Sequence, residues 1–126
     1  MESRDLGLNP WKQHLARVPE SIWERTDLET LVLAENALTE ISGRIGKLKK
    51  LRALDLGHNR LTSVPHERGD LGGLADFLYL HDNQLTGPPA SIASLTRLEK
   101  LDLRWVDIPP SEWFVTLEAR GCLVYR

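Results

Sequence analysis

A short motif of leucines and one asparagine recurs three times along the chain, and this repetition constrains the fold more than any other feature. The motif has the form L-x-L-x-x-N-x-L and occupies residues 31–38, 54–61 and 78–85. Its asparagines lie 23 and 24 positions apart, at Asn36, Asn59 and Asn83. A period of this length predicts a stack of coils in which each coil contacts only its neighbours.

Each motif predicts one short strand with a single apolar face. Alternating leucines, such as Leu54 and Leu56, place two side chains on one side of a strand, and the residue between them points to the other side. One coil cannot bury such a face alone, so successive coils must stack their strands in parallel over a shared leucine core. The motif asparagines are expected to hydrogen-bond the backbone where the chain leaves each strand, and we predict that they are structural.

The coils outside the three motifs are less regular. A fourth unit starts at Leu98 but carries Val106 where the asparagine is expected. Apolar residues at 15, 18 and 22 lie 23 positions ahead of their equivalents at 38, 41 and 45, which predicts a degenerate coil before the first motif, with a poorly formed strand. With the coils numbered from the first motif, the second coil has Arg68 close to a slot that is apolar elsewhere, so a bulged loop is expected there.

Both ends of such a stack need a cap that covers the exposed leucines. At the carboxyl end, Ser111 is the expected helix N-cap and Gly121 the expected helix end, and residues 122–125 are expected to add a last strand. At the amino end, Trp11, Leu15 and Trp23 are expected to cover the first coil. The predicted organisation is one domain over residues 1–126, with a degenerate first repeat (1–27), regular repeats (28–108) and a cap (109–126).

These motifs resemble the leucine-rich-repeat family, in the class with coils of about 23 residues, and the resemblance runs from about Leu8 to Glu118. It implies an α/β solenoid of right-handed coils. The short parallel sheet would line the concave face, and the convex face would be α-helical, 3₁₀-helical or irregular. The resemblance also implies binding of a protein rather than catalysis.

Composition excludes several other functions. The formal charge of −2 gives no general attraction to nucleic acid. No apolar run is long enough to span a membrane, and the first residues lack the apolar core of a signal peptide. The single Cys122 cannot form an internal disulfide. We therefore expect a cytoplasmic protein without a cofactor, with a bacterial effector secreted into host cells as the alternative location.

The solvent-facing positions of the predicted strands supply the candidate site. Large side chains collect on the third and fourth strands, and tyrosine, tryptophan and arginine are enriched in binding hot spots. The proposed anchors are Phe77, Tyr79, His81, Arg104 and Trp105. The proposed polar rim consists of Asp55, His58, Asp82 and Asp102. The simpler alternative is that these side chains only pack on one another and on the cap.

Other chemistry has weaker support in the residues. Imidazole and carboxylate groups at His58, His81 and Asp82 suit a transition metal, but His58 and Asp82 share a column and would also suit a plain hydrogen bond. Cys122 lies in the predicted cap, far from the histidines of the middle coils, so we expect a buried cap residue rather than a nucleophile paired with a base. Asp55 and Asp102 are spaced like the carboxylates of some glycosidases, but a gently curved sheet offers no deep cleft. We predict that the chain is not an enzyme.

The predicted function is therefore a protein-interaction module that binds a protein partner on its concave face. The alternative is a structural or regulatory repeat protein that self-associates through the same patch. A monomer is expected, with a homodimer as the alternative. A basic strip on the return half of a coil, over residues 47–52, is a second candidate docking surface.

Overall fold

In the part of the chain that the structure describes, six short strands form one parallel sheet, with the chain's order preserved across it. The computed structural model describes residues 7–8, 15–65, 71, 73–86, 92, 95–108 and 112–126. The strands are β1 (Gly7–Leu8), β2 (Thr30–Val32), β3 (Ala53–Asp55), β4 (Phe77–Tyr79), β5 (Lys100–Asp102) and β6 (Leu123–Tyr125). Every neighbouring pair is parallel, which confirms the predicted solenoid sheet.

The strand register places the motif leucines in one continuous core. Leu31 lies beside Leu54, and Leu54 lies beside Leu78, so equivalent leucines stack through the sheet. These leucines and the second leucine of each motif are all buried. Full burial of one such side chain stabilises the fold by roughly 1.5–3 kcal/mol, so the stacked columns supply the main driving force for folding.

The asparagines join successive coils by hydrogen bonds, as predicted. The buried Asn83 side chain accepts from the Leu61 N–H at 2.9 Å and donates to the carbonyl oxygens of Leu56 and Leu80 at 2.9 and 3.0 Å. Asn59 makes the equivalent bonds one coil earlier. Each amide therefore satisfies buried backbone groups on two coils, which strand pairing alone leaves without partners.

The convex side of the degenerate coil and of the first coil is 3₁₀-helical, at Glu20–Glu24 and Gly43–Lys47. The Ser42 Oγ caps the second of these helices by accepting from the Arg44 N–H at 3.0 Å. Ile22 and Ile45 point from the two helices into the core. A coil of 23 or 24 residues has room for one three-residue strand and one such short helix.

The carboxyl end is capped by helix α1 (Glu112–Ala119) and strand β6, as the sequence predicts. Gly121, with φ of 94°, reverses the chain between them. Leu117 and Cys122 are buried beneath this cap, which confirms the predicted place of the cysteine. At the other end Trp23 is buried. Trp11, the bulged loop at Arg68 and the N-cap at Ser111 lie outside the described residues.

Strand β1 is only two residues long, in keeping with the poorly formed strand expected of the degenerate coil. It pairs with β2 in parallel, with Leu8 in register with Leu31, and so extends the sheet by one strand. Across the part of the chain that the structure covers, no helix is long and apolar enough to cross a membrane.

Candidate functional site

Three rings cluster on the concave face, where the second, third and fourth coils leave their strands. The centroids of the His58 and His81 rings are 4.8 Å apart, edge to face. The Trp105 ring lies 6.2 Å from His58 and 6.4 Å from His81. Three of the residues predicted from the sequence are therefore brought together in one patch.

Phe77 and Tyr79 form a second aromatic group on the same face. They are two residues apart on β4, so their side chains point to the same side, and their rings stack at 4.2 Å. The Tyr79 ring also meets His81 edge to face at 6.1 Å. Both side chains are half-buried. The simpler alternative, in which the aromatic residues pack on one another, describes this stacked pair well.

Trp105 differs from that pair because its side chain projects into solvent, with 70% of the residue exposed. Its backbone lies in the left-handed region at φ 59°, as do the equivalent residues Glu35, His58 and Asp82 at 56°, 54° and 54°. The fourth coil therefore makes the same turn as the others, although Val106 replaces the asparagine. This turn directs Trp105 outward.

Asp102 and Arg104 form an ion pair at the end of β5. The Arg104 side chain donates to the Asp102 carboxylate from Nε at 3.1 Å and from NH2 at 2.7 Å, and the Arg104 backbone N–H donates at 3.0 Å. Burial disfavours the charged carboxylate, but these hydrogen bonds outweigh burial and lower the pKa of Asp102. Asp102 is only 4% exposed. The expectation that it forms part of a solvent-facing rim was wrong, because Arg104 covers it.

Aromatic rings flank the Arg104 guanidinium. Its central carbon lies 5.6 Å from the centroid of the Trp105 ring and 5.7 Å from that of Tyr125. Such distances are typical of cation–π contacts. Sequence reasoning did not place Tyr125 on this face. The signal was available, since β6 pairs with β5 and sets Tyr125 beside Asp102 in the same column as Tyr79.

Asp55 occupies the position in the second coil that Asp102 occupies in the fourth, but its surroundings differ. The Gly57 N–H donates to its carboxylate at 3.0 Å. Within the described part of the chain no arginine or lysine forms an ion pair with it. Burial raises the pKa of Asp55, although the Gly57 N–H and the nearby imidazoles of His81 and His58 act in the opposite direction.

Gly57 makes room for the ring of His81. A Cβ atom at this glycine would collide with the imidazole, so a side chain at 57 and the present His81 rotamer exclude each other. The His81 Nδ1 is buried, lies 3.6 Å from the Asp102 carboxylate, and has no hydrogen-bond partner among the described residues. His81 therefore forms part of the floor of the patch, and its neighbours cover most of its side chain.

His58 and Asp82 form a hydrogen bond of 2.7 Å at the edge of the patch, and both side chains are substantially exposed. The sequence had offered this pairing as the alternative to a metal site. In the ranges that the structure describes, no group of three or more histidine, cysteine or acidic side chains is placed to hold a metal ion.

Two of the four basic residues in the convex strip are paired with carboxylates of adjacent coils. Lys47 pairs with Glu24 at 2.9 Å, and Arg52 pairs with Asp76 at 3.1 Å. Just outside the strip, Arg44 pairs with Glu20 at 2.9 Å. The strip therefore has less free positive charge than the sequence indicated, and the concave patch is the better candidate.

The leucine rich repeat family matches residues 26–85, which contain all three motifs. The chain is a leucine-rich-repeat protein. Adenylate cyclase of Schizosaccharomyces pombe is 40% identical over 85 residues, which cover 67% of this chain but 5% of the cyclase. That match supports the repeats and carries no evidence of cyclase activity.

Solved structures of other leucine-rich-repeat proteins have the same fold. A protein of Leptospira interrogans superposes with a TM-score of 0.73 at 28% identity, over 87% of this chain and 34% of its own. The plant peptide hormone receptor RGFR1, in complex with RGF2, superposes with a TM-score of 0.68 at 28% identity, over 81% of this chain and 17% of its own. This leucine-rich-repeat chain thus spans about a third or less of the length of each of these proteins.

Proposed function

We propose that this leucine-rich-repeat protein binds a protein partner on its concave face, with Trp105 as the central anchor, and that it catalyses no reaction. The leucine-rich-repeat fold is a general protein–protein interaction module. The observation that carries the proposal is the 70% exposure of Trp105 beside His58 and Arg104. Burial of a large, solvent-exposed aromatic side chain by a partner contributes much of the binding free energy of an interface.

The surroundings of Trp105 have the composition of an interface centre. The stacked Phe77 and Tyr79 rings offer a rigid apolar platform, and the His58–Asp82 pair supplies polar groups at its edge. Rigid side chains lose little conformational entropy when a partner binds, so contacts with them are not offset by ordering. A peptide-bound relative, the receptor RGFR1 with RGF2, supports the general mode of binding.

The chain is proposed to act as a monomer in the cytoplasm. In this proposal the buried, unpaired thiol of Cys122 needs no oxidising compartment. Burial and the Glu118 carboxylate raise the pKa of this thiol, which keeps it protonated and poorly nucleophilic. A role as a catalytic nucleophile therefore has no support from its surroundings.

A comparative pull-down from native lysate tests the proposal, with bound proteins identified by mass spectrometry. The test variant is Trp105→Ala. The matched control is Val115→Ala, because Val115 is an apolar residue of similar exposure, 65%, on helix α1 of the cap. We expect a partner that is captured by the wild type and by the control and is lost with Trp105→Ala.

Capture of the same proteins by all three forms would contradict concave-face binding through Trp105. Circular dichroism and urea unfolding of each form would establish that the variants are folded. Sedimentation of the wild type tests self-association separately. A dimer that Trp105→Ala converts to a monomer would show that the patch serves a second copy of the chain instead.

A further inference from the structure

The second and fourth coils carry the same pair of side chains at equivalent places on the concave face. In the fourth coil Asp102 lies beside Tyr125 on the next strand. In the second coil Asp55 lies beside Tyr79 in the same register. Each pair combines a carboxylate with an aromatic ring at the spacing of neighbouring strands, about 4.8 Å.

The fourth coil shows which group such a pair accommodates. The Arg104 guanidinium donates to the Asp102 carboxylate from two nitrogens, and its central carbon lies 5.7 Å from the centroid of the Tyr125 ring. Charge-assisted hydrogen bonds and a flanking π-system are the two contacts that guanidinium groups favour. The protein therefore contains, within its own chain, one occupied guanidinium site.

The second coil lacks the cation that fills this site. The residue two positions after Asp55 is Gly57, where the fourth coil has Arg104. The half-buried Asp55 carboxylate accepts a hydrogen bond from the Gly57 N–H. It forms no ion pair with an arginine or lysine in the described ranges. The ring of His81 lies above Gly57 and does not hydrogen-bond to Asp55 in this part of the chain.

The charge of the whole patch favours a basic partner. Among the candidate residues the carboxylates of Asp55, Asp82 and Asp102 outnumber the single guanidinium of Arg104, which Asp102 already binds. A positively charged surface would therefore be attracted to this face, and a negatively charged one repelled. The raised pKa of Asp55 agrees with a carboxylate that lacks a cation.

We propose that the protein partner inserts an arginine side chain into the second coil, where Asp55 binds its guanidinium beside the Tyr79 ring. This inference rests on the proposed function, since it names the chemistry of a partner on the same concave face. The arginine approaches from the solvent side, because His81 fills the space directly above Gly57.

The test uses peptides selected from a phage-displayed random library on the wild-type protein. A selected peptide is synthesised with a fluorescein label, in one form with arginine and in another with citrulline, its neutral analogue of nearly the same shape. Fluorescence anisotropy then gives the Kd of both forms. A lost charge-assisted pair is expected to weaken binding about tenfold or more.

Two variants assign that loss to one carboxylate. Asp55→Asn removes the charge but keeps an oxygen that accepts the Gly57 N–H, so the local turn is preserved. Asp82→Asn removes a charge from the same face at a carboxylate that His58 already binds. We expect the preference for arginine over citrulline to persist in Asp82→Asn and to fall to nearly nothing in Asp55→Asn.

The outcomes separate this inference from the proposed function. An arginine preference that survives Asp55→Asn would overturn the inference. So would selected peptides that need no arginine but are lost with Trp105→Ala, although this result would still support the concave interface. Peptides that bind the wild type, Asp55→Asn and Trp105→Ala equally would contradict both proposals.

Discussion

The second and fourth coils have a similar backbone but carry different residues at three consecutive positions after the strand, 57–59 and 104–106. Their strands hold the same register, and His58 and Trp105 share the left-handed turn at φ 54° and 59°. Gly57 of the second coil is equivalent to Arg104 of the fourth, and Asn59 is equivalent to Val106. The path of the chain is therefore retained in the fourth coil although these three positions differ.

The fourth coil forms backbone hydrogen bonds of its own at the point where the asparagine is lost. The Val106 N–H donates to the Leu103 carbonyl at 3.2 Å, and the Ile108 N–H donates to the Val106 carbonyl at 2.9 Å. The coil is also the last before the cap. A ladder of asparagines is needed where coils continue on both sides, and less so at its end.

The largest effect is predicted for Asn59→Val, which gives the second coil the residue of the fourth. The substitution leaves the buried Leu38 N–H without the bond of 3.1 Å that Asn59 provides. It also removes one of the two amide donors to the Leu33 carbonyl, which Asn36 still reaches at 3.0 Å. An unsatisfied buried group costs about 1–3 kcal/mol and a further lost hydrogen bond about 0.5–1.5 kcal/mol, so the free energy of unfolding should fall by roughly 2–3 kcal/mol. Urea unfolding followed by circular dichroism measures the change.

The reverse substitution, Val106→Asn, is the matched control for this prediction. By the geometry of the other coils, an asparagine at 106 would face the backbone of Leu80 and Leu85, so we expect a change within about 1 kcal/mol. Equal losses from the two substitutions would show that the ladder is as important at the fourth coil as at the second.

Much of the fold could be predicted from the sequence because its signals are local and periodic. The strands follow from alternating leucines, and the role of Asn59 and Asn83 follows from their position at each strand end. The cap strand and the buried Cys122 were also predicted correctly. Each of these features depends only on the spacing of residue types within a coil.

The arrangement of the site was harder to predict, because it depends on contacts between coils. The columns indicate which residues are neighbours but not which side chain covers another. Asp102 and Asp55 share one column, yet Arg104 covers the first, and a glycine leaves the second without a cation. The choice of rotamer that sets His81 over Gly57 follows from packing, which no spacing pattern encodes.

An intermediate effect is predicted for neutralising the two carboxylates. At neutral pH, Asp102→Asn should lower the free energy of unfolding by about 1 kcal/mol, because it weakens charge-assisted hydrogen bonds from Arg104. Asp55→Asn should be neutral or stabilising, because burial of that charge is not offset by a cation. Urea unfolding of both variants at several pH values measures the contrast.

The two carboxylates change the free energy of unfolding with pH in opposite directions. The pKa of Asp102 is lowered by folding, so its stabilisation is present above the unfolded pKa of about 3.9 and disappears as the pH falls through the lower folded value. The pKa of Asp55 is raised, so its charge opposes folding at neutral pH, and this penalty disappears as the pH falls through the raised value. Parallel pH profiles for the two variants would contradict the comparison.

The smallest effect is predicted for glycine at the left-handed position of each coil. A bulky residue there is strained by roughly 1–2 kcal/mol, and glycine removes the strain but adds about 0.5–1 kcal/mol of backbone entropy cost. Trp105→Gly also removes the contact with Arg104, so we expect a change within about 0.5 kcal/mol. His58→Gly should destabilise by about 0.5 kcal/mol, because histidine tolerates this conformation better and the bond to Asp82 is lost.

Urea unfolding gives both values, and the pull-down described above is repeated with Trp105→Gly. A tryptophan that contributes nothing to stability but is needed for capture of a partner would be retained for binding alone. If Trp105→Gly instead unfolds the protein at markedly lower urea than His58→Gly, the tryptophan is part of the packing of the fourth coil. Its exposure would then no longer distinguish that coil as the centre of the interface.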